Sequence, residues 1–152
     1  MSDEAPWLDD DEMATWLPFI KLVTQLPSAL EVQLREDARL SHFEYSVLVV
    51  LEHADDATMR MSDLAYLANG SLSRLSHVAR RLEKEGLIER FACPTDGRST
   101  LARLTDGGRE RLIKAAPGHV RLVRELVFDE LDAEEQRQLG AFAKRILARI
   151  QS

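Results

Sequence analysis

The stretch "SDLAYLANGSLSRLSHVARRLEKEGLIERFACPTDGRSTLARLT", residues 62–105, decides the fold. Its first part reads as two short helices joined through Asn69 and Gly70, with Ser62 and Ser71 as natural N-caps and Gly86 as a C-terminal stop. Leu64, Ala65 and Ala68 give the first helix a small apolar face, and Leu75, Val78, Ala79 and Leu82 give the second a matching stripe. Packing these faces together turns Ser73, Arg74, Ser76, His77, Arg80 and Arg81 outward. Short hydroxyls, arginines and a histidine bond base edges and phosphates; the bland alternative is an amphipathic helix with a solvated polar face. Glu83 and Glu85 come only at its C-terminal end, which favours the nucleic-acid reading. After Gly86 the period changes. "LIERFA" and "STLARL" are short β-tolerant runs, and "CPTDG" between them places Pro, Asp and Gly for a tight turn, so a hairpin follows. A helix-turn-helix followed by a two-stranded ribbon is the order of a winged helix.

Working outward, a first helix is expected over 11–38, with Trp16, Ile20, Val23, Leu30 and Leu34 on one face and Phe19, Leu22 and Leu26 widening it. Pro18 is expected in the first turn of a helix that starts late, and Pro27 as a bend. Ser41 and Glu44 form a capping-box pattern before "YSVLVVLEH", a run apolar nearly all round and therefore central, ending about Ala54. On the other side, Thr105 caps a long helix through about Phe128, with a kink or break at Pro117-Gly118. A last helix begins at Asp132, with Glu135 completing another capping box and Leu139, Phe142, Ile146 and Ile150 as its buried stripe.

A chain of 152 residues suits one domain, and 45% hydrophobic with 30% charged residues describes an ordinary globular protein. No apolar run approaches the ~18 residues a membrane span needs. The acidic start "MSDEAPWLDDDEM" lacks the basic and apolar regions of a secretory signal, so a reducing cytoplasm is expected. The net charge of −6 opposes indiscriminate coating of nucleic acid, yet it is unevenly spread. Residues 1–56 carry 13 acidic against 3 basic residues, whereas residues 71–103 carry 7 basic against 4 acidic. A basic segment in an acidic chain binds a polyanion locally while the remainder keeps the protein soluble.

"DLAYLANGSLSRLSHVARRLEKEGLIER", Asp96-x-Arg98 and the "LT-x-x-G" of Leu104, Thr105 and Gly108 together resemble the MarR family of bacterial transcription regulators. The resemblance covers nearly the whole chain and implies a mainly α (α+β) fold: a single domain over 1–152, with a winged helix-turn-helix DNA-binding region at 41–105 and dimerisation helices at 11–38 and 106–152. It implies a homodimeric repressor of transcription on a pseudo-palindromic operator in double-stranded DNA. On these positions Ser71 caps the recognition helix, and Ser73, Arg74, Ser76, His77 and Arg80 or Arg81 face DNA. Asp96 orients the wing tip and Arg98 reaches a minor groove or its phosphates. Gly97 and Ser99 depart from the more highly charged wing common in the family, which removes support for a second arginine contact there.

The resemblance also implies release by a small aromatic or phenolic acid bound between the dimerisation helices and the winged helix. Trp16, Phe19, Phe43 and Tyr45 are candidate lining residues and equally good core residues. Histidines 42, 53, 77 and 119 show no short metal-ligand spacing, and neither a metal nor another cofactor is expected. Cys93 lies near Arg90 and Arg98, a setting that suits a redox-responsive thiol. Related redox sensors place that cysteine near the N-terminal helices, which favours a structural Cys93. Phosphate-cradling loops, nucleophile elbows and zinc-hydrolase helices are missing from the sequence, so catalysis is not expected. A winged helix used for protein contact is the remaining rival to DNA binding.

Overall fold

The computed structural model describes residues 6–152, so the first five residues of the acidic start lie outside it. Helix α1 (Asp10–Ala38) begins with a full capping box: the Asp9 carboxylate accepts from the Glu12 N–H at 2.8 Å, and Glu12 accepts from the Asp9 N–H at 3.0 Å. The cap sets the helix start at Asp10, and Pro18 therefore falls two turns inside it rather than in the first turn. The helix runs through both Pro18 and Pro27. It ends where Arg39 adopts a left-handed conformation, its N–H bonded to the Arg35 carbonyl.

Helix α2 (His42–Glu52) starts at the expected Ser41–Glu44 box and contributes Phe43, Val47, Leu48 and Leu51 to the core. A turn at Asp55–Ala57 then leads into strand β1 (Thr58–Arg60), for which "TMR" carries no signal of its own. Its partner makes it a strand. β1 pairs antiparallel with β3 (Thr100–Leu104), whose other edge pairs with β2 (Ile88–Ala92), giving the order β1-β3-β2. Because β1 feeds directly into helix α3 (Met61–Leu67), Arg60 occupies the N-cap position, and Ser62 is a residue of the helix rather than its cap.

Helix α4 (Leu72–Lys84) is capped by Ser71, whose hydroxyl accepts from the Arg74 N–H at 3.1 Å. Gly70, before it, leaves room for Phe43: a Cβ there would lie 2.5 Å from the ring. Gly86 ends the α4 region at φ +73°, a conformation costly for any residue with a side chain. The base of the β2–β3 hairpin is then clamped to α4, because the Thr105 hydroxyl donates to the Gly86 carbonyl at 2.5 Å and the Thr105 N–H donates to Leu87 at 3.1 Å.

The same Thr105 caps helix α5 (Asp106–Val123), which continues through Pro117. The irregularity expected at Pro117-Gly118 lies later, as a wide π-helical turn at Arg124–Phe128. Gly118 instead serves close packing. A Cβ at that position would collide with the Asp37 carboxylate and the Gln33 amide of α1. Helix α6 (Ala133–Ile150) follows the expected Asp132–Glu135 box.

The core sits where the C-terminal part of α1, α2, α3, α4 and the sheet meet, around Leu34, Leu40, Leu48, Leu64, Leu75 and Leu82. The two ends of the chain lie outside it. Leu139, Phe142, Ile146 and Ile150, expected as a buried stripe, are 40–73% exposed, because none of the described elements packs across that face of α6. Trp16, Ile20 and Val23 of α1 are exposed as well. Among the described residues, no helix is long and apolar enough to cross a membrane.

Tyr45 packs against His119 of α5 with ring centroids 4.5 Å apart, and His42 lies 6.3 Å from His119. Burial holds both histidines below their ordinary value of 6.5. Folding therefore excludes protons that the unfolded chain binds, and stability falls as pH drops below about 6.5 toward the folded-state values. Thermal unfolding midpoints should decline across that window in the native chain, and a His42→Gln/His119→Gln variant should show a flatter decline.

Candidate nucleic-acid interface

At about 100° per residue, the side chains of α4 fall into four sectors. Leu75, Ala79 and Leu82 point into the core. One flank meets α2: the Arg74 guanidinium lies 4.1 Å over the Phe43 ring, and Arg81 bonds both oxygens of Glu44 at 2.7 and 2.8 Å. The other flank meets the wing, where Glu83 accepts from the Arg90 guanidinium at 2.7 Å and from its N–H at 3.2 Å. That pairing holds the Glu83 carboxyl below its ordinary range and raises Arg90. Ser73, His77, Arg80 and Lys84 are left on the outward sector, all exposed.

The expected set is therefore sorted by the fold. Ser73, His77 and Arg80 form the outward row, and Ser71 is the cap. Ser76 faces the wing. Arg81 is committed elsewhere: besides Glu44, it donates to Glu85 at 3.0 Å and to the Arg39 carbonyl at 2.6 Å, so each guanidinium nitrogen has an intrachain acceptor. Glu44 is buried, which leaves Arg81 no freedom to turn outward. Lys84 was missed by sequence reasoning, although its spacing of four from Arg80 and seven from His77 marks the same helical row.

The wing tip is ordered by Asp96. Its carboxylate accepts from the Arg98 N–H at 3.2 Å and from the Ser99 hydroxyl at 2.9 Å, and these bonds, the Ser99 one foremost, hold its pKa below the ordinary value. Arg98 itself projects exposed. A groove of about 300 Å³ lies between α4 and the wing, with Arg60, Arg90 and Arg98 around it, together with the hydroxyls of Ser62, Ser76 and Ser99. No carboxylate lines it. Among the described residues Arg74, Arg80, Lys84 and Arg98 have no ion-pair partner, whereas Arg81, Arg90 and Arg103 are each paired with glutamate.

A sequence model of the MarR family matches residues 40–100, which hold α2, α3, α4 and most of the wing. The structure is similar to that of Sco3205, a MarR family transcriptional regulator from Streptomyces coelicolor in complex with DNA: TM-score 0.94 and 41% identity, covering 99% of this chain and 94% of that one. The chain belongs to the MarR family. It is also 32% identical over 108 residues to the HTH-type transcriptional regulator MhqR of Bacillus subtilis, covering 70% of this chain and 72% of MhqR. Identity to another B. subtilis HTH-type regulator, YdgJ, is 34% over 100 residues, 66% of this chain and 59% of that protein.

The aromatic residues expected to line one ligand pocket of this MarR-family chain do not converge. A crevice of about 540 Å³ does lie between α1, α2 and α4, and Phe43 forms part of its wall. The remaining wall is mixed, with Glu31, Arg35, His42, Asn69 and Arg74 set among Pro27, Val32 and Ala68. Trp16 and Phe19 meet with rings tilted by 44° and centroids 6.1 Å apart, some four turns, or about 20 Å, along α1 from Glu31. Tyr45 is turned toward His119. Cys93 is 8% exposed where β2 gives way to the tip loop of the wing, and its N–H donates to the Ser99 carbonyl at 2.8 Å. Its thiol, 3.4 Å from the Thr95 hydroxyl, is held below its ordinary pKa by that contact. Among the described residues no three His, Cys, Asp or Glu side chains gather as a metal site.

Removing Arg81 strands a Glu44 side chain that is 3% exposed. Arg81→Ala should destabilise the fold by about 2–3 kcal/mol, below the cost of breaking a fully enclosed pair because Arg81 itself is 42% exposed. Arg81→Lys should recover only part of that stability, since one ammonium cannot reach Glu44, Glu85 and the Arg39 carbonyl from the three separate positions that the guanidinium nitrogens occupy. Urea unfolding at fixed protein concentration measures both.

Proposed function

We propose that this chain is a homodimeric transcriptional repressor that binds a pseudo-palindromic operator in double-stranded DNA and is released by a small ligand. The observation that carries the reading is the unpaired cationic surface: Arg80 and Lys84 on the outward row of α4, Arg98 on the wing, and a carboxylate-free groove between them. Ser73, His77 and Arg80 are the side chains that meet base edges, with α4 lying in a major groove. Arg98, braced by Asp96, enters the adjacent minor groove, where the potential is deepest over A·T-rich sequence. The likeness to Sco3205, whose structure contains DNA, supports DNA as the partner.

Dimerisation rests on the uncovered apolar faces. Trp16, Ile20 and Val23 on α1 and Leu139, Phe142 and Ile146 on α6 form surfaces that a lone soluble chain does not keep in water. Joined about a two-fold axis, they would place two α4 helices about 34 Å apart, one turn of DNA. Release by ligand rests on the crevice. Arg74 and His42 offer cationic or donor groups and Phe43 an aromatic wall, while Glu31 is already paired with Arg35 at 2.7 Å. A small aromatic acid fits that chemistry, and it would act on Arg74, a residue of α4 itself.

Two measurements test the reading. In fluorescence anisotropy across a salt series, Arg98→Ala should weaken binding most where the adjacent minor groove is A·T-rich, and should reduce the salt slope by about 0.9 for each phosphate that is no longer neutralised. His77→Ala should instead shift the preference among operator variants by about 1–3 kcal/mol. If neither change alters affinity, the DNA face has been misplaced. Phe142→Asp should convert a dimer to a monomer in sedimentation and abolish operator binding.

A further inference from the structure

Among the described residues of α4, Leu72 is the only large apolar side chain exposed, at 51%. It occupies the first position of the helix, one turn ahead of Ser76, and both line the groove shared with Arg60 and Arg98. The core does not need it: Leu75, Ala79 and Leu82 already form the inward stripe. Met61, the other apolar residue of the groove, is itself buried. Leu72 thus holds an uncovered hydrocarbon surface among guanidinium and hydroxyl groups, in a groove whose charge admits a polyanion and whose wall has no carboxylate. Along its major-groove edge a DNA duplex presents one methyl group, that of thymine at C5. The leading end of a recognition helix is the part that meets base edges.

We infer that Leu72 is a specificity-determining residue that packs on a thymine methyl in each half-site. The inference rests on the DNA-binding function proposed above and adds a base preference that no polar residue of α4 supplies. Replacing a hydroxyl or amine changes hydrogen bonding, whereas the Leu72 contact depends on one carbon atom of the DNA.

The test removes only that carbon. An operator is first obtained by selecting duplexes that bind the wild-type protein, and each thymine of a half-site is then replaced in turn by deoxyuridine. At one position per half-site, removal of the methyl should weaken wild-type binding about 3- to 10-fold. Leu72→Ala, a change at a half-exposed site, should bind the thymine operator more weakly by a similar factor and should not distinguish thymine from uracil there. Thermal unfolding of the variant confirms that its fold is kept. The inference is overturned if no deoxyuridine position matters to the wild type, or if Leu72→Ala still senses the methyl as strongly. Equal weakening of the variant on every operator, with or without the methyl, marks a sugar contact and overturns it too. If the selection yields no preferred duplex at all, the function proposed above fails and Leu72 with it. If an operator emerges but its methyls are immaterial, only the Leu72 assignment falls.

Discussion

Glu44 is the only charged side chain in the buried core of the described chain, and three elements hang on its two oxygens. One oxygen accepts from the Ser41 N–H and so begins α2; both accept from Arg81 and so fix α4 against α2. Through Arg81 the same node reaches the Arg39 carbonyl, where α1 ends in its left-handed turn. A buried carboxylate is costly unless every lone pair is matched, so these partners are held in one arrangement. The axial rotation of α4 follows from it. With Arg81 tied to α2 on one side and Glu83 tied to Arg90 of the wing on the other, Ser73, His77, Arg80 and Lys84 have only one direction left to face.

Charge is divided in the same way. The basic segment 71–103 looks uniformly cationic along the sequence, but its arginines do two different jobs. Arg81, Arg90 and Arg103 face glutamates and hold the winged helix together, while Arg74, Arg80, Lys84 and Arg98 have no carboxylate partner among the described residues. Local attraction of a polyanion therefore coexists with a net charge of −6, since the acids are concentrated on other surfaces or consumed in pairs.

Most of the architecture was legible in the sequence because it is written in local chemistry. Capping pairs at Ser41/Glu44 and Asp132/Glu135, the stop at Gly86 and the turn residues of the wing act within a few residues of themselves, and each marks the element expected from it. What stayed illegible depends on partners distant in the chain. β1 is a strand only because β3 offers it an edge; Gly118 is explained by Asp37 and Gln33, some eighty residues earlier. Arg80 and Arg81 are neighbours with the same side chain, and the acceptors that hold Arg81, chiefly Glu44 37 residues away, separate their settings. That the four candidate aromatics do not share one crevice within the chain has a related reason. Residue type marked Trp16 and Phe43 alike, but the length of α1 keeps them apart. The uncovered stripe of α6 was read correctly as apolar, yet periodicity does not say whether the covering surface belongs to the same chain.

Arg74 sits on a boundary: its guanidinium rests on Phe43 at the wall of the crevice, and its backbone belongs to the first turn of α4. Any molecule whose affinity for the crevice depends on where Arg74 lies is thermodynamically linked to whatever α4 touches. Linkage of that kind is reciprocal. A ligand that weakens the grip of α4 on a duplex is itself bound less tightly, by the same factor, while the duplex is in place. The occupied operator would thus raise the ligand concentration needed for release, and the dose threshold of the response would belong to the pair rather than to the crevice alone.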